Sequence, residues 1–310
     1  MVTIPRARAF ATAGVEPWEQ HNADSLIALA CRPPAERPFA ATEVNLQLER
    51  THLARVRGTR HVVERSAATI ERSPADAIAV YVTVMGDAVF EQDGRRRVLR
   101  PGQLLVCDAD RPFLRGFGHG LDELAVKVPR TEFAQLTGQH TVGDPVVVET
   151  SENPHGHALA RLVARAVRTD NPVPADDQAV LELVAVLAGH AELPVAHRAA
   201  ARAFIEEHLA DPALSACDIA TATGISERHL SRLFAAADTS VPKHVLARRL
   251  DAAHSVLTTD KDLRTADVAV RCGFTSVAYF SQSFRKRFGV TAGEVRRGFS
   301  FPPSPPGSMA

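Results

Sequence analysis

The sequence predicts an α+β protein in which an antiparallel β half precedes an all-helical half, and three observations say so. Apolar and polar residues alternate from Ala41 to about Val128, the spacing turns helical after Pro129, and the last third contains a duplicated segment. A chain of 310 residues has room for two domains, each with a core of its own.

Taken in order, residues 1–40, which include CRPPAERP, read as an arm or edge segment rather than core. Residues 41–190 form the first domain. Its short runs EVNLQL, AIAVYVTV, AVFEQ, RRVL, QLLVC and LAVKV are separated by Gly, Pro and Asp, the pattern of an antiparallel barrel or sandwich. Gly86-Asp87 and Asp93-Gly94 read as hairpin turns, and Pro101-Gly102 as a turn before another strand. Two amphipathic helices follow. One carries a stripe of Leu159, Leu162, Val163 and Ala166, the other of Val180, Leu181, Val184, Leu187 and Ala188. Such stripes either pack on the barrel or make a dimer interface. AELPVAHR, residues 191–198, reads as a linker, residues 199–298 as the second domain, and residues 299–310, ending in FPPSPPGSMA, as a disordered tail.

Charge is shared unevenly. The chain is neutral overall, yet from Ala196 onward 15 Lys/Arg face 11 Asp/Glu, which hints at a polyanion partner for that end. Cys31, Cys107, Cys217 and Cys272 are far apart, so neither a disulfide framework nor a zinc cluster is suggested. With no apolar leader and no run of membrane-spanning length, a cytoplasmic protein without membrane contact is expected.

In the duplicated segment, DIATATGIS (218–226) matches DVAVRCGFT (267–275) at an offset of 49. HLSRLF (229–234) matches YFSQSF (279–284) at an offset of 50, so the second copy has one more residue in its turn. Each copy reads as a short helix capped by Ser215 or Thr265, a turn containing Gly224 or Gly273, and a longer helix. Val277, Phe280, Phe284 and Phe288 mark one buried face of the second long helix, with Ala278, Gln282 and Arg285 opposite. Leu230, Leu233, Phe234 and Ala237 do the same in the first, leaving Arg228, Ser231 and Arg232 outward. Between the copies, Ser240 caps a helix whose apolar residues Val245, Leu246, Leu250, Ala253 and Leu257 keep helical spacing. The outward faces carry side chains that can donate to base edges and phosphates.

ADVAVRCGFTSVAYFSQSFRKRFGVTAGEVRR resembles the C-terminal signature of the AraC/XylS family of transcription regulators, and Leu214 to Leu257 resembles that family's first helix-turn-helix and linking helix. The resemblance spans about Arg198 to Arg297. It departs at Ala292, where the family usually has proline. It implies double-stranded DNA as partner, base-reading positions at Arg228, Ser231, Arg232, Ala278, Tyr279 and Gln282, and phosphate or packing roles for Arg285, Lys286, Arg287 and Arg249. LRPGQLLVCDADRPF and KVPRTEFAQL resemble the cupin-like sensor domains of the XylS-type subgroup, implying an N-terminal barrel that binds an effector of unknown identity, dimerising helices, a homodimer, and an activator working with RNA polymerase.

A cupin barrel can also be an enzyme, so a cupin-type metal enzyme fused to a DNA-binding module is one alternative, and a barrel that binds a protein partner is another. His155 and His157 lie at a helix start outside the barrel with no third ligand at strand spacing, and His119 reads as a loop residue, so no metal, cofactor or catalytic residue is expected. Trp18, His52, Arg60, His61 and Tyr81 could point into the barrel but read first as packing or surface residues. His229 reads as packing. Cys217 and Cys272 read as buried thiols.

Overall fold

The computed structural model describes residues 5–35, 38–169 and 174–298; the expected tail lies outside them. Elements follow in the order β1 (Arg8–Thr12), α1 (Val15–Ser25), β2 (Ala30–Arg32), β3 (Ala41–Gln47), β4 (His52–Gly58), β5 (His61–Arg65), α2 (Ala67–Arg72), β6 (Ala77–Met85), β7 (Ala88–Gln92), β8 (Arg95–Leu99), β9 (Gln103–Asp108), β10 (Phe113–Phe117), β11 (Leu121–Pro129), α3 (Arg130–Thr137) and β12 (Val146–Glu149). Helices complete the chain: α4 (Pro154–Ala166), α5 (Asp177–Leu187), α6 (Leu193–Glu207), α7 (Ala216–Ala222), α8 (Glu227–Ala235), α9 (Val241–Thr259), α10 (Thr265–Arg271), α11 (Val277–Phe288) and α12 (Ala292–Arg296).

The strands make two antiparallel sheets, ordered β1-β3-β4-β11-β6-β9-β12 and β2-β5-β10-β7-β8. Alternation along each strand divides the apolar residues between two faces. Ala54, Ala79, Tyr81, Leu105 and Ala125 face the second sheet and close a cupin-like barrel interior with Phe90, Phe113 and Phe117. Leu53, Val80, Val82, Val106 and Val126 face outward and are covered by helices. Asp93 and Gly94, both with positive φ, make the β7–β8 hairpin as expected. Gly86-Asp87 does not make a hairpin, because β6 and β7 belong to different sheets and the chain crosses between them there.

Residues 1–40 are not a detached arm. β1 is an edge strand on β3, and α1 puts Trp18 into the barrel interior, 2% exposed. The stripes of α4 and α5 are buried against the outer face of the seven-stranded sheet. They are therefore spent within the chain, which removes the ground on which they were expected to dimerise.

The segment 191–198 is not a loop linker. α6 begins at Leu193, and Pro194 sits in its first turn, where a missing N–H and a fixed φ cost nothing. Ala199 belongs to the same core as α4 and α5, while Ala201, Ile205 and Leu209 belong to the core of the first helix-turn-helix. One helix thus has a face in each half.

In the C-terminal half α9 plays the same double part. Val245 packs with Ile219, Leu230 and Phe234, whereas Leu250, Ala253 and Leu257 pack with Val268, Phe280, Phe284 and Phe288. Both turns use one device: the Ile225 N–H donates to Ala220 and the Phe274 N–H to Ala269, each at 3.0 Å, behind a left-handed glycine. Thr275 is the extra residue of the second copy, since Ser226 and Ser276 cap the two long helices at an offset of 50. Thr265 is not a cap. It is the first helical residue, and Arg264 precedes it without a side-chain bond. Where the family usually has proline, Ala292 follows Thr291, whose capping box with Glu294 starts α12 instead.

The two turn glycines carry different burdens. Gly224, at φ +69, has open space where a Cβ would stand; Gly273, at φ +81, would place one 2.8 Å from the Leu209 carbonyl and 2.9 Å from Arg249 Nε. Thermal unfolding should show Gly224→Ala costing about 1 kcal/mol and Gly273→Ala roughly 2–3, the difference being a clash with backbone that cannot swing away.

Candidate nucleic-acid interface

Each recognition helix turns one face in and one out. α8 starts at Ser226, whose hydroxyl accepts from the His229 N–H, and buries Leu230, Leu233 and Phe234; Ala237, just past its end, is only half-buried. Arg228, Ser231 and Arg232 are exposed, and His229 is half-buried with its ring edge-on to His197. α11 starts at Ser276, whose hydroxyl accepts from the Tyr279 N–H, and ends at left-handed Gly289. Phe280, Phe284 and Phe288 are buried, while Ala278, Tyr279 and Gln282 are exposed. Val277 was expected in the core but is 43% exposed, because the helix begins there and the packed stripe starts one turn later.

Cations in the last turn of α11 complement the helix dipole, but they are not alike. Arg285 and Lys286 are exposed. Arg287 is half-buried and donates through Nε and Nη2 to both oxygens of Asp251 on α9, at 2.8 and 3.0 Å, so it is held away from a phosphate. Arg249 is a packing residue: its Nε donates to the Leu209 carbonyl at 2.9 Å and its Nη2 to that of Asp211. Cys272 is buried, its thiol raised to about 11 by burial, whereas Cys217 is exposed, contrary to expectation, on the outer side of α7.

Inside the barrel Trp18 and Tyr81 line a cavity of about 40 Å³. His61 is buried beside it against Trp18 and Phe117, His52 is buried and bonded to Asn45 and Gln47, and Arg60 is exposed. Sequence reasoning missed Arg115 and Glu123, which line the cavity 2% and 4% exposed, in a two-pronged pair at 2.8 and 2.7 Å. The guanidinium lies 3.9 Å from the centre of the Tyr81 ring. Period two was the available signal, since Arg115 shares a strand face with the inward Phe113 and Phe117.

Glu43, also fully buried, has two carboxyl oxygens without a hydrogen-bond partner, and burial pushes its carboxyl up to about 7. Between the ordinary carboxylate value and 7 the unfolded chain gives up this proton while the folded chain keeps it, so folding weakens as pH rises through that window. Glu43→Gln should accordingly stabilise the protein by roughly 2–3 kcal/mol at pH 8 and hardly at pH 4.5, as read from urea unfolding at the two pH values.

His155 and His157 lie in the first turn of α4. Asp176, Glu206 and His244 do bring three ligand atoms within 4.8 Å of one another, the one such group among the described residues. Burial alone would raise the Asp176 carboxyl, but Arg202 and Arg248 hold it down to about 2, and burial keeps the His244 ring neutral with a value near 4. With guanidinium groups already balancing both carboxylates, the donor set suits an ion-pair network rather than a cation. No helix among the described residues is long and apolar enough to cross a membrane.

Residues 18–215 match the AraC-binding-like domain and residues 219–298 a helix-turn-helix domain. The chain is 28% identical over 283 residues to the transcriptional activator NphR of Rhodococcus sp, covering 86% of this chain and 83% of that one. It is 31% identical over 107 residues to the transcriptional activator RhrA of Rhizobium meliloti (strain 1021), 34% of each chain. It also resembles the crystal structure of the AraC-like transcriptional activator CuxR, at a TM-score of 0.49 and 18% identity, over 80% of this chain and 96% of that one. With a duplicated helix-turn-helix on one linking helix and a matching N-terminal domain over more than half its length, the chain belongs to the AraC/XylS family of DNA-binding transcription regulators.

Proposed function

We propose that this regulator is a cytoplasmic activator that reads one asymmetric DNA site with two unlike helices, under the control of an effector held by the N-terminal barrel. One observation carries the DNA-reading part. Arg228, Ser231 and Arg232 on α8, and Ala278, Tyr279 and Gln282 on α11, stand exposed over buried stripes that share α9 as a common support. A shared support holds two readers at one spacing, as successive major-groove segments about 34 Å apart require. Because the two outward faces differ in sequence, one copy reads a site without symmetry. Domain limits are taken as 18–190 for the sensor and 199–298 for the reader, with α6 belonging to both.

Activation is taken from the named relatives, NphR and RhrA. In this reading RNA polymerase is the partner recruited at the promoter, and two copies would pair on one operator through a surface other than the covered stripes of α4 and α5; sedimentation of the chain with its operator measures that stoichiometry. The barrel acts by binding rather than by catalysis. Metal content of the purified chain separates this from a cupin-type metal enzyme, and thermal shift against panels of small acids, amines and sugars separates a small effector from a protein partner.

The test of base reading uses an operator selected from random duplexes, its single-base variants and unrelated DNA. Gln282→Ala and Arg232→Ala should each lose about 1–3 kcal/mol at one base position and relax preference there. Lys286→Ala should weaken all sequences alike and flatten the salt slope by about one unit. Equal losses on every sequence for Gln282→Ala and Arg232→Ala would place both among phosphate contacts and sink the assignment.

A further inference from the structure

Two groups of paired charged side chains, one helical turn apart along α6, lie between α5 and the second recognition helix. Glu182 on α5 accepts from Arg198 Nε at 2.6 Å and lies 3.5 Å from Arg202, both on α6. Arg202 donates to Asp176, the α5 cap, at 2.7 Å. One helical turn beyond Arg202, Glu206 accepts from Arg248 on α9 through Nε and, at 3.1 Å, through Nη2. Arg248 also donates to the Pro174 carbonyl ahead of α5 and, from Nη1 at 3.4 Å, to Asp251. Asp251 gives its oxygens in turn to Arg287 of α11.

We propose that Arg248 is a positioning residue that sets the bearing of α11 against the N-terminal half. The inference rests on the reading of α11 as a base-reading helix. Phe280, Phe284 and Phe288 hold the back of α11 in its core, but apolar contact is non-directional and tolerates some roll about the helix axis. A two-pronged guanidinium–carboxylate pair is directional. The Asp251–Arg287 pair therefore fixes which way Gln282 and its neighbours point, and Arg248 fixes Asp251. At its other end Arg248 grips Glu206 and the Pro174 carbonyl, both outside the reading half's second core. Its planar fork gives Glu206 two side-by-side bonds while still reaching the Pro174 carbonyl and Asp251, a two-pronged geometry that a lysine ammonium lacks.

The experiment uses the full chain and its selected operator. Arg248→Gln leaves Glu206 buried without its partner, so the charge-balanced double variant Arg248→Met with Glu206→Gln is measured beside it, and Gln282→Ala identifies the base positions read by α11. The expected result is that discrimination at those positions falls about tenfold in the double variant, while discrimination at positions read by α8 changes less than twofold. Unchanged discrimination at both sets, or an equal loss at both, overturns the proposal. If Gln282→Ala itself shows no base preference to lose, the base-reading assignment fails, and the positioning role falls with it. If Gln282→Ala relaxes preference at its base position and the double variant does not differ from the parent, the positioning role alone is wrong.

Discussion

Phe284→Ala should cost about 3–5 kcal/mol of stability, the range for deleting a large aromatic side chain from a closed core. Phe284 is 0% exposed and lies between Phe280 and Phe288, with ring centres 5.4 and 4.7 Å away. Those neighbours come from turns of the same helix, and Leu250, Ala253 and Leu257 of α9 line the opposite wall. Helix backbone on both sides keeps the hole from collapsing. The loss should appear as an earlier unfolding transition with binding to the α11 part of the operator abolished, since the exposed readers of α11 are carried by this core. A variant that unfolds like the parent but has lost DNA binding would show that Phe284 acts at the interface and not beneath it.

A loss of similar size is expected in the other half. Arg115→Met should cost about 3–5 kcal/mol, because Glu123 would be left buried with no partner. The same substitution combined with Glu123→Leu should recover most of that, since an apolar pair of comparable volume pays no desolvation of charge. Urea midpoints for the two single variants and the double variant measure the coupling. Simple addition of the two single losses would mean that the pair is not the unit the geometry describes.

How much was legible in the sequence depended on whether pattern or pairing decided the structure. The duplication gave the reading half almost residue by residue, because a buried stripe repeated at helical spacing has few other solutions. The strands at β3, β6 to β9 and β11 were readable from alternation alone. β4 and β5 were not singled out. Their run THLARVRGTRHVVER is interrupted by arginines, and these are satisfied across the sheet: Arg55 and Arg57 donate to Asp122 of β11 at 2.9 and 3.2 Å. A cross-strand partner is invisible in one strand's own pattern.

Some of the differences share a physical source, which is that a breaker or a charge is read by type when its place decides its role. Pro194 was taken for a linker residue although the first helical turn accepts it. Residues 1–40 read as an arm because of CRPPAERP, yet α1 within them buries Trp18 and Asn22. Arg287 looked like Arg285 and Lys286 because nothing local says that Asp251 waits on another helix.

The double allegiance of α6 limits how such a protein can be rebuilt from parts. A hybrid that grafts a foreign sensor at residues 191–198 would keep Ala201, Ile205 and Leu209 in place but strip Ala199 of its packing and Arg202 of Asp176 and Glu182. Moving the junction to the exposed turn at 211–213 only transfers the damage to the other side of the helix. Sensor and reader are consequently not interchangeable cassettes: a working chimaera has to carry a composite α6, with its sensor-facing residues taken from one parent and its reader-facing residues from the other.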